Sequence, residues 1–271
     1  MRGLLRACHF QPTVAVTAIT GILAVVAGRG LGTVAVVAAA LVGQLSVGWS
    51  NDWVDRDRDR QAGRLDKPIV TGAVAAEMVE RAAITALVLT VPLSLLSGWQ
   101  AASAHLVAVL AAWAYNLGLK RTPLSVACYL LAFGLLPAFV TLGLPGHPWP
   151  PAWVTTAAAL MGAGAHFVNG LADRDADLRT GVHGLPQRMS YRGSLLVGVG
   201  LLAAALFFFC VGPPGRPTPG AVVLLMIGVS ALVAVVASSL TGHERAAWSL
   251  TLLTAATAVA ALLVNGGTLG T

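Results

Sequence analysis

Seven of the eleven acidic residues fall in two short segments, Asp52 to Asp59 and Asp173 to Asp177. The first segment reads NDWVDRDRD from Asn51 to Asp59. At about 100° per residue on a helix, Asp52, Asp55 and Asp59 share a sector of about 60°, while Asp57 points roughly the opposite way. The second segment reads NGLADRDAD from Asn169 to Asp177. There Asn169, Asp173 and Asp177 follow i, i+4, i+8 spacing and form a stripe, with Asp175 off to the far side. Like charges so placed repel each other, so something cationic must compensate. All-oxygen clusters without His or Cys suit a hard divalent ion, and Mg²⁺ is usually held by one or two carboxylates plus substrate phosphate oxygens. The expected ligand is therefore a Mg²⁺-diphosphate, with Arg56, Lys67, Lys120 and Arg121 completing its neutralisation. The plainer alternative is that these acids and arginines form solvated ion pairs in loops. Such pairing gives no reason for the same phased design to occur twice.

The elements that position these clusters belong to a membrane protein. Of 271 residues 56% are hydrophobic and 10% charged, and the mean hydropathy is +0.78, outside the usual composition of soluble domains. Hydrophobic runs bounded by turn signals predict nine spans, at 12–28, 31–50, 74–97, 100–118, 123–143, 151–171, 193–212, 219–240 and 246–265. The basic N-terminal stretch runs straight into the first of these, which reads as a retained helix. With the N-terminus in the cytoplasm, only Arg29 and Arg216 of the 17 basic residues fall on the outer side. That bias fixes the orientation in the cell membrane and supports the helix count. It also accounts for the net charge of +6 without nucleic acid as a partner. The aspartate clusters follow the second and sixth spans, so both emerge on the cytoplasmic face. The chain reads as one domain of two related halves, about 1–122 and 123–271, though identity between them is too weak to call a repeat. Cys8, Cys128 and Cys210 have no paired spacing and read as packing residues. A cation-coupled transporter would place its carboxylates near the bilayer midplane on broken helices, whereas these sit at span ends.

At these residues the sequence resembles the UbiA superfamily of intramembrane prenyltransferases, whose signatures are N-D-x-x-D-x-x-x-D and D-x-x-x-D. The first corresponds to Asn51, Asp52, Asp55 and Asp59, and the second to Asp173 and Asp177. DKPIVTG at Asp66 to Gly72 is similar to the family's R-P-x-x-x-G segment, with Lys67 where arginine is more usual. YNLGLKRTP at Tyr115 to Pro123 is similar to its Tyr-x-x-x-x-Lys-Arg run. Asn169 stands where several branches place tyrosine. The resemblance implies an all-α fold of nine transmembrane helices with both motifs on cytoplasmic loops. It also implies Mg²⁺-dependent ionisation of a prenyl diphosphate and transfer of the isoprenoid to an aromatic or quinone-precursor acceptor, with release of pyrophosphate. Metal binding then falls to Asp52, Asp55, Asp59, Asp173 and Asp177, of which Asp52, Asp55, Asp173 and Asp177 are the residues on which catalysis depends. Diphosphate binding falls to Asn51, Arg56, Lys67, Tyr115, Lys120, Arg121 and Asn169. A terpene cyclase of the same superfamily would keep these residues but let the substrate's own double bonds capture the cation. Trp49, Trp53, Trp113, Tyr115 or Phe167 would shield a carbocation through cation–π contact or pack as membrane aromatics. His166, seven residues before Asp173, falls on the same helix face and reads either as an acceptor-pocket group or as a buried histidine satisfied by a neighbour. His105 and His147 have no partner at useful spacing and carry no assigned role.

Overall fold

The structure, a computed structural model, describes residues 2–266, and these are all helix and connecting turns. A short helix, α1 (Arg2–Arg6), precedes α2 (Phe10–Val26) and α3 (Gly32–Val54), and α4 (Arg56–Gln61) follows α3 after a break at Asp55. Next come α5 (Ala76–Leu95), α6 (Trp99–Leu117), a 3₁₀ turn at Leu119–Arg121, α7 (Ser125–Gly134) and α8 (Leu136–Thr141). The chain continues through α9 (Ala152–Ala172), α10 (Arg174–Arg179), α11 (Leu185–Arg188), α12 (Tyr191–Val211), α13 (Pro219–Leu240) and α14 (Glu244–Val264).

Every segment expected to span is helical, with ends displaced by a few residues. Five helices, α3, α5, α12, α13 and α14, are long and apolar enough to cross a membrane. The helix α2 is shorter, at 17 residues. The expected span 123–143 is broken at Leu135 because Pro137 has no N–H to offer the carbonyl of Phe133. The long helices α6 and α9 carry polar side chains that their burial directs inward, among them His105, Asn116 and His166. Polar residues in membrane helices face the bundle interior in this way. The large apolar side chains that α5 and α13 expose are leucine, valine, isoleucine and methionine, as contact with lipid requires. Together the apolar helices and this outward face make the protein an integral membrane protein.

Helix ends are tied by side chains at both ends of the bundle. The Asn265 side chain donates to the carbonyl of Cys210 at 2.6 Å and accepts from the Thr218 backbone N–H at 2.9 Å, joining the ends of α12, α13 and α14. At the opposite end the Tyr191 hydroxyl lies 2.7 Å from the Ser239 carbonyl and 2.8 Å from the Glu244 carboxylate. Close helix approach uses glycine: a Cβ on Gly164 of α9 would come 2.9 Å from the Gly198 carbonyl of α12. Small residues at such crossings are how membrane helices gain packing contact.

Both aspartate segments have the same local form. A long helix ends, one aspartate occupies the break, and a six-residue helix resumes the chain. The breaks fall at Asp55 (φ −86°, ψ −1°) and Asp173 (φ −102°, ψ 5°). Hydrogen bonds from Asp55 N–H to Asn51 C=O and from Asp59 N–H to Asp55 C=O cross the first break, so the helical phase of the carboxylates survives it.

Candidate active site

The two breaks face each other across the mouth of a cavity of about 580 Å³. On the first side Asp52, Asp55 and Asp59 are buried, each at most 3% exposed. Asp52 accepts from the Lys67 ammonium at 2.7 Å and lies 2.9 Å from Nε2 of His9. Lys67 Nζ also lies 3.1 Å from that same nitrogen. An Nε2–H that donates to Asp52 has no lone pair for Lys67, so Asp52 Oδ1 is the acceptor for both neighbours. His9 holds this position in a left-handed backbone conformation (φ 54°, ψ 61°), uncommon for a side chain other than glycine. Asp55 accepts from Lys120 and, at 2.8 Å, from Arg58.

On the second side Asp177 accepts from Arg58 at 2.6 Å and from the Gln187 amide at 2.8 Å. Arg58 therefore joins the two aspartate segments with one guanidinium, as the fork geometry of arginine permits. Asp173 is more open and pairs with Arg64 at 2.8 Å. Arg64 also grips Asp66, and that hydrogen bond holds the Asp66 carboxyl down to about 2. Burial pushes the pKa of Asp59 and of Asp177 up, against the pull of Lys67 and of Arg58 respectively. Burial likewise lowers Lys120, although Asp55 opposes the shift. The mouth thus keeps several charged groups desolvated and facing one another, the arrangement from which sites for a charged ligand are built.

Asn51, Lys67, Tyr115, Lys120 and Asn169 all line the cavity with the aspartates. The Asn51 amide donates to Asn116 Oδ1 at 3.2 Å, and Asn169 is open to the cavity without a partner among the described residues. Asp57 points away, 66% exposed and paired with Arg60, and Asp175 is exposed.

Five expected residues stand elsewhere. Arg56 is half-exposed, donates to the Trp53 carbonyl at 2.9 Å and stacks over the Trp53 ring, outside the cavity. Arg121 is exposed and also does not line it. Trp49 spends its indole N–H on the Leu4 carbonyl and Trp113 on the Ser46 hydroxyl, so both pack between helices. His166 is buried, bonded to Ser125 at 3.1 Å and stacked on Tyr129, as a histidine satisfied by its neighbours would be. In their place the structure puts His9, Arg58, Arg64 and Gln187 at the mouth, and Gln44 and His105 deeper in the cavity. The one signal for Arg58 in the sequence was its i, i+3 spacing from Asp55; His9 and His105 had none.

Among the described residues no three His, Cys, Asp or Glu side chains gather closely enough to hold a metal by themselves. The donor chemistry nevertheless fits Mg²⁺: buried, all-oxygen carboxylates on two sides of one cavity, each able to supply one ligand while phosphate oxygens supply others. Asp52, Asp55, Asp59, Asp173 and Asp177 are the residues that would hold it.

An all-helical membrane bundle around a cavity with apolar wall residues and a charged mouth is the class of protein these features define. The UbiA prenyltransferase family matches residues 14–255, and the chain belongs to that family. No curated protein sequence matches it. Among solved structures, an apo UbiA homolog from Aeropyrum pernix K1 is similar with a TM-score of 0.75 at 19% identity, covering 94% of this chain and 98% of that one. A digeranylgeranylglyceryl phosphate synthase is similar with a TM-score of 0.67 at 17% identity, covering 98% of each chain. A UbiA homolog from Archaeoglobus fulgidus bound to GPP and Mg²⁺ gives 0.63 at 20% identity, covering 97% of this chain and all of that one. At these identities the likeness is one of fold.

Proposed function

We propose that the protein is a Mg²⁺-dependent intramembrane prenyltransferase that moves an isoprenoid group from a prenyl diphosphate to an aromatic or quinone-precursor acceptor and releases pyrophosphate. The observation that carries this reading is the bridge made by Arg58 between Asp55 and Asp177, which sets carboxylates on both sides of one cavity mouth with a fixed cation between them. A diphosphate carries the charge that such a mouth is built to meet, and its isoprenoid tail matches the apolar walls below, formed by residues such as Val47, Ala112 and Phe133. The relative from Archaeoglobus fulgidus, bound to GPP and Mg²⁺, supports the same ligand class.

When bound, Mg²⁺ would neutralise charge on the leaving diphosphate. Lys67, Lys120 and Arg58 would exchange carboxylate partners for phosphate oxygens as the substrate seats, so that their positive charge is already in place where negative charge develops. Asn169 and Tyr115 would complete the mouth. The C–O bond to the diphosphate breaks with its electron pair going to pyrophosphate, the acceptor carbon bonds to the allylic carbon, and that acceptor carbon then loses its proton. Burial of the cavity in the bundle limits hydrolysis of the cation. The nine-span topology, with both aspartate segments and the N-terminus on the cytoplasmic face, belongs to this proposal and rests on the distribution of basic residues.

The test is to incubate purified protein in detergent with Mg²⁺ and prenyl diphosphates of graded length, with and without ring acceptors, and to identify products by mass spectrometry. Pyrophosphate release should depend on acceptor and stop in excess EDTA. A cyclic hydrocarbon or terpene alcohol made from the diphosphate alone, at a rate no acceptor alters, would show a cyclase instead.

A further inference from the structure

The deep end of the cavity is polar where an isoprenoid tail would want it apolar. The deepest lining residues on α3 and α6 are Gln44 and His105. His105 is 2% exposed and stacks on Phe139, with ring centroids 4.2 Å apart and planes within 12°. Its Nδ1 lies 2.7 Å from the Ser94 hydroxyl, and that hydroxyl donates its proton to the Thr90 carbonyl at 2.6 Å. A serine hydroxyl has one proton. Ser94 Oγ therefore accepts from His105, which places the imidazole proton on Nδ1 and leaves the lone pair on Nε2. Among the described residues nothing hydrogen-bonds that nitrogen, and it lies over Gly43, where a Cβ would approach it to 3.2 Å. Gln44, the next residue, also has no hydrogen-bond partner among the described residues.

Resting on the transferase reading above, we infer that Gln44 and His105 form the acceptor subsite, in which Nε2 of His105 accepts a hydrogen bond from an uncharged hydroxyl on a single-ring acceptor. Hydrocarbon packed there would leave the buried His105 nitrogen and the half-buried Gln44 amide unpaired, which is costly. A carboxylate is disfavoured as the floor-facing group, because Nε2 offers no proton, the Gln44 amide donates but carries no charge, and the cationic residues of the cavity, Arg6, Arg58, Arg64, Lys67 and Lys120, all lie toward the mouth. Eight residues separate Gln44 from Asp52, about 12 Å along α3. With the diphosphate at the aspartate end of that span and the acceptor within about 3.5 Å of the allylic carbon, the depth that remains suits a single ring rather than a fused-ring system.

The experiment uses full-length protein in detergent labelled with ¹⁵N-histidine, probed by NMR with phenol, anisole and toluene. His105, assigned by the signal missing in His105→Gln, should show the Nδ1–H tautomer, and phenol alone should shift its Nε2 resonance. Ser94→Ala should release the tautomer. In turnover assays with a prenyl diphosphate and monocyclic phenols, His105→Phe should raise the KM for the phenol by roughly tenfold and leave the KM for the diphosphate unchanged, with His105→Gln recovering part of the loss. Equal shifts from phenol and toluene, or an Nε2–H tautomer in the wild type, would overturn the subsite. The two readings fail separately: a phenol-specific shift without acceptor-dependent pyrophosphate release would sink the transferase and leave the polar floor. Acceptor-dependent release that is unchanged in His105→Phe would do the reverse.

Discussion

At the scale of single residues, the two aspartate segments separate into groups that face the cavity and groups that do not. Asp52→Ala, Asp55→Ala, Asp173→Ala and Asp177→Ala should each lose about a hundredfold in turnover, the scale of removing one strong electrostatic element. Asp57→Ala and Asp175→Ala, exposed outside the cavity, should stay near wild type, as should Arg56→Ala and Arg121→Ala. Equal losses at all these positions in a pyrophosphate-release assay would contradict the assignment. Arg58 is the sharper case. Arg58→Lys keeps the charge, but a single ammonium cannot supply the two separate nitrogens that reach Asp55 and Asp177. It should therefore lose most of the activity that Arg58→Ala loses, where a role limited to net charge would leave Arg58→Lys close to wild type. The carboxylates were legible in the sequence because helical phase decides where a short side chain points. The arginines were not. By phase Arg56 lies beside Asp52, yet its long side chain turns back to the Trp53 carbonyl. The partner that fixes Arg58 lies 119 residues away in sequence, and that pairing exists only once the helices have packed.

At the scale of elements, the long helices followed from runs of apolar residues, whereas the breaks at Asp55 and Asp173 did not. No proline or glycine marks either break, and backbone hydrogen bonding continues across the first. The N-terminal arm was equally hidden. A sequence of this kind reads as the start of the first span, but α1 folds over the end of α3 and fixes His9 beside Asp52. The contact that seats the arm is the approach of Gly48 to the backbone of Cys8, where a Cβ would come within 2.6 Å of the Cys8 carbonyl carbon. Both sides of this contact are main chain, so Gly48→Ala has no flexible side chain to push aside. It should destabilise by about 1–3 kcal/mol, as overpacking does, and should also displace His9 and lower turnover. Thermal unfolding followed beside prenyl diphosphate turnover checks this: an alanine variant with unaltered stability and rate would mean that the arm is not held at Gly48.

At the scale of the whole molecule, charge placement was the most readable feature, since 15 of 17 basic residues were expected on one face and the cavity mouth opens on residues of that group, among them Arg58, Arg64, Lys67 and Lys120. On the proposed topology the positive-inside rule would put the mouth in the cytoplasm, where a water-soluble or lipid-borne diphosphate would meet it. Labelling can test this cleanly because Cys8, Cys128 and Cys210 are free and buried, so the wild-type protein should react little with a membrane-impermeant maleimide. Arg60 is exposed beside the first aspartate segment, with a side chain 54% open. Trp149 is 70% exposed in the turn between α8 and α9, at the opposite end of the bundle from Asp173. In intact cells Trp149→Cys should label and Arg60→Cys should not, and permeabilisation should make Arg60→Cys reactive. The reverse pattern would put the aspartate segments and the cavity mouth on the outer face.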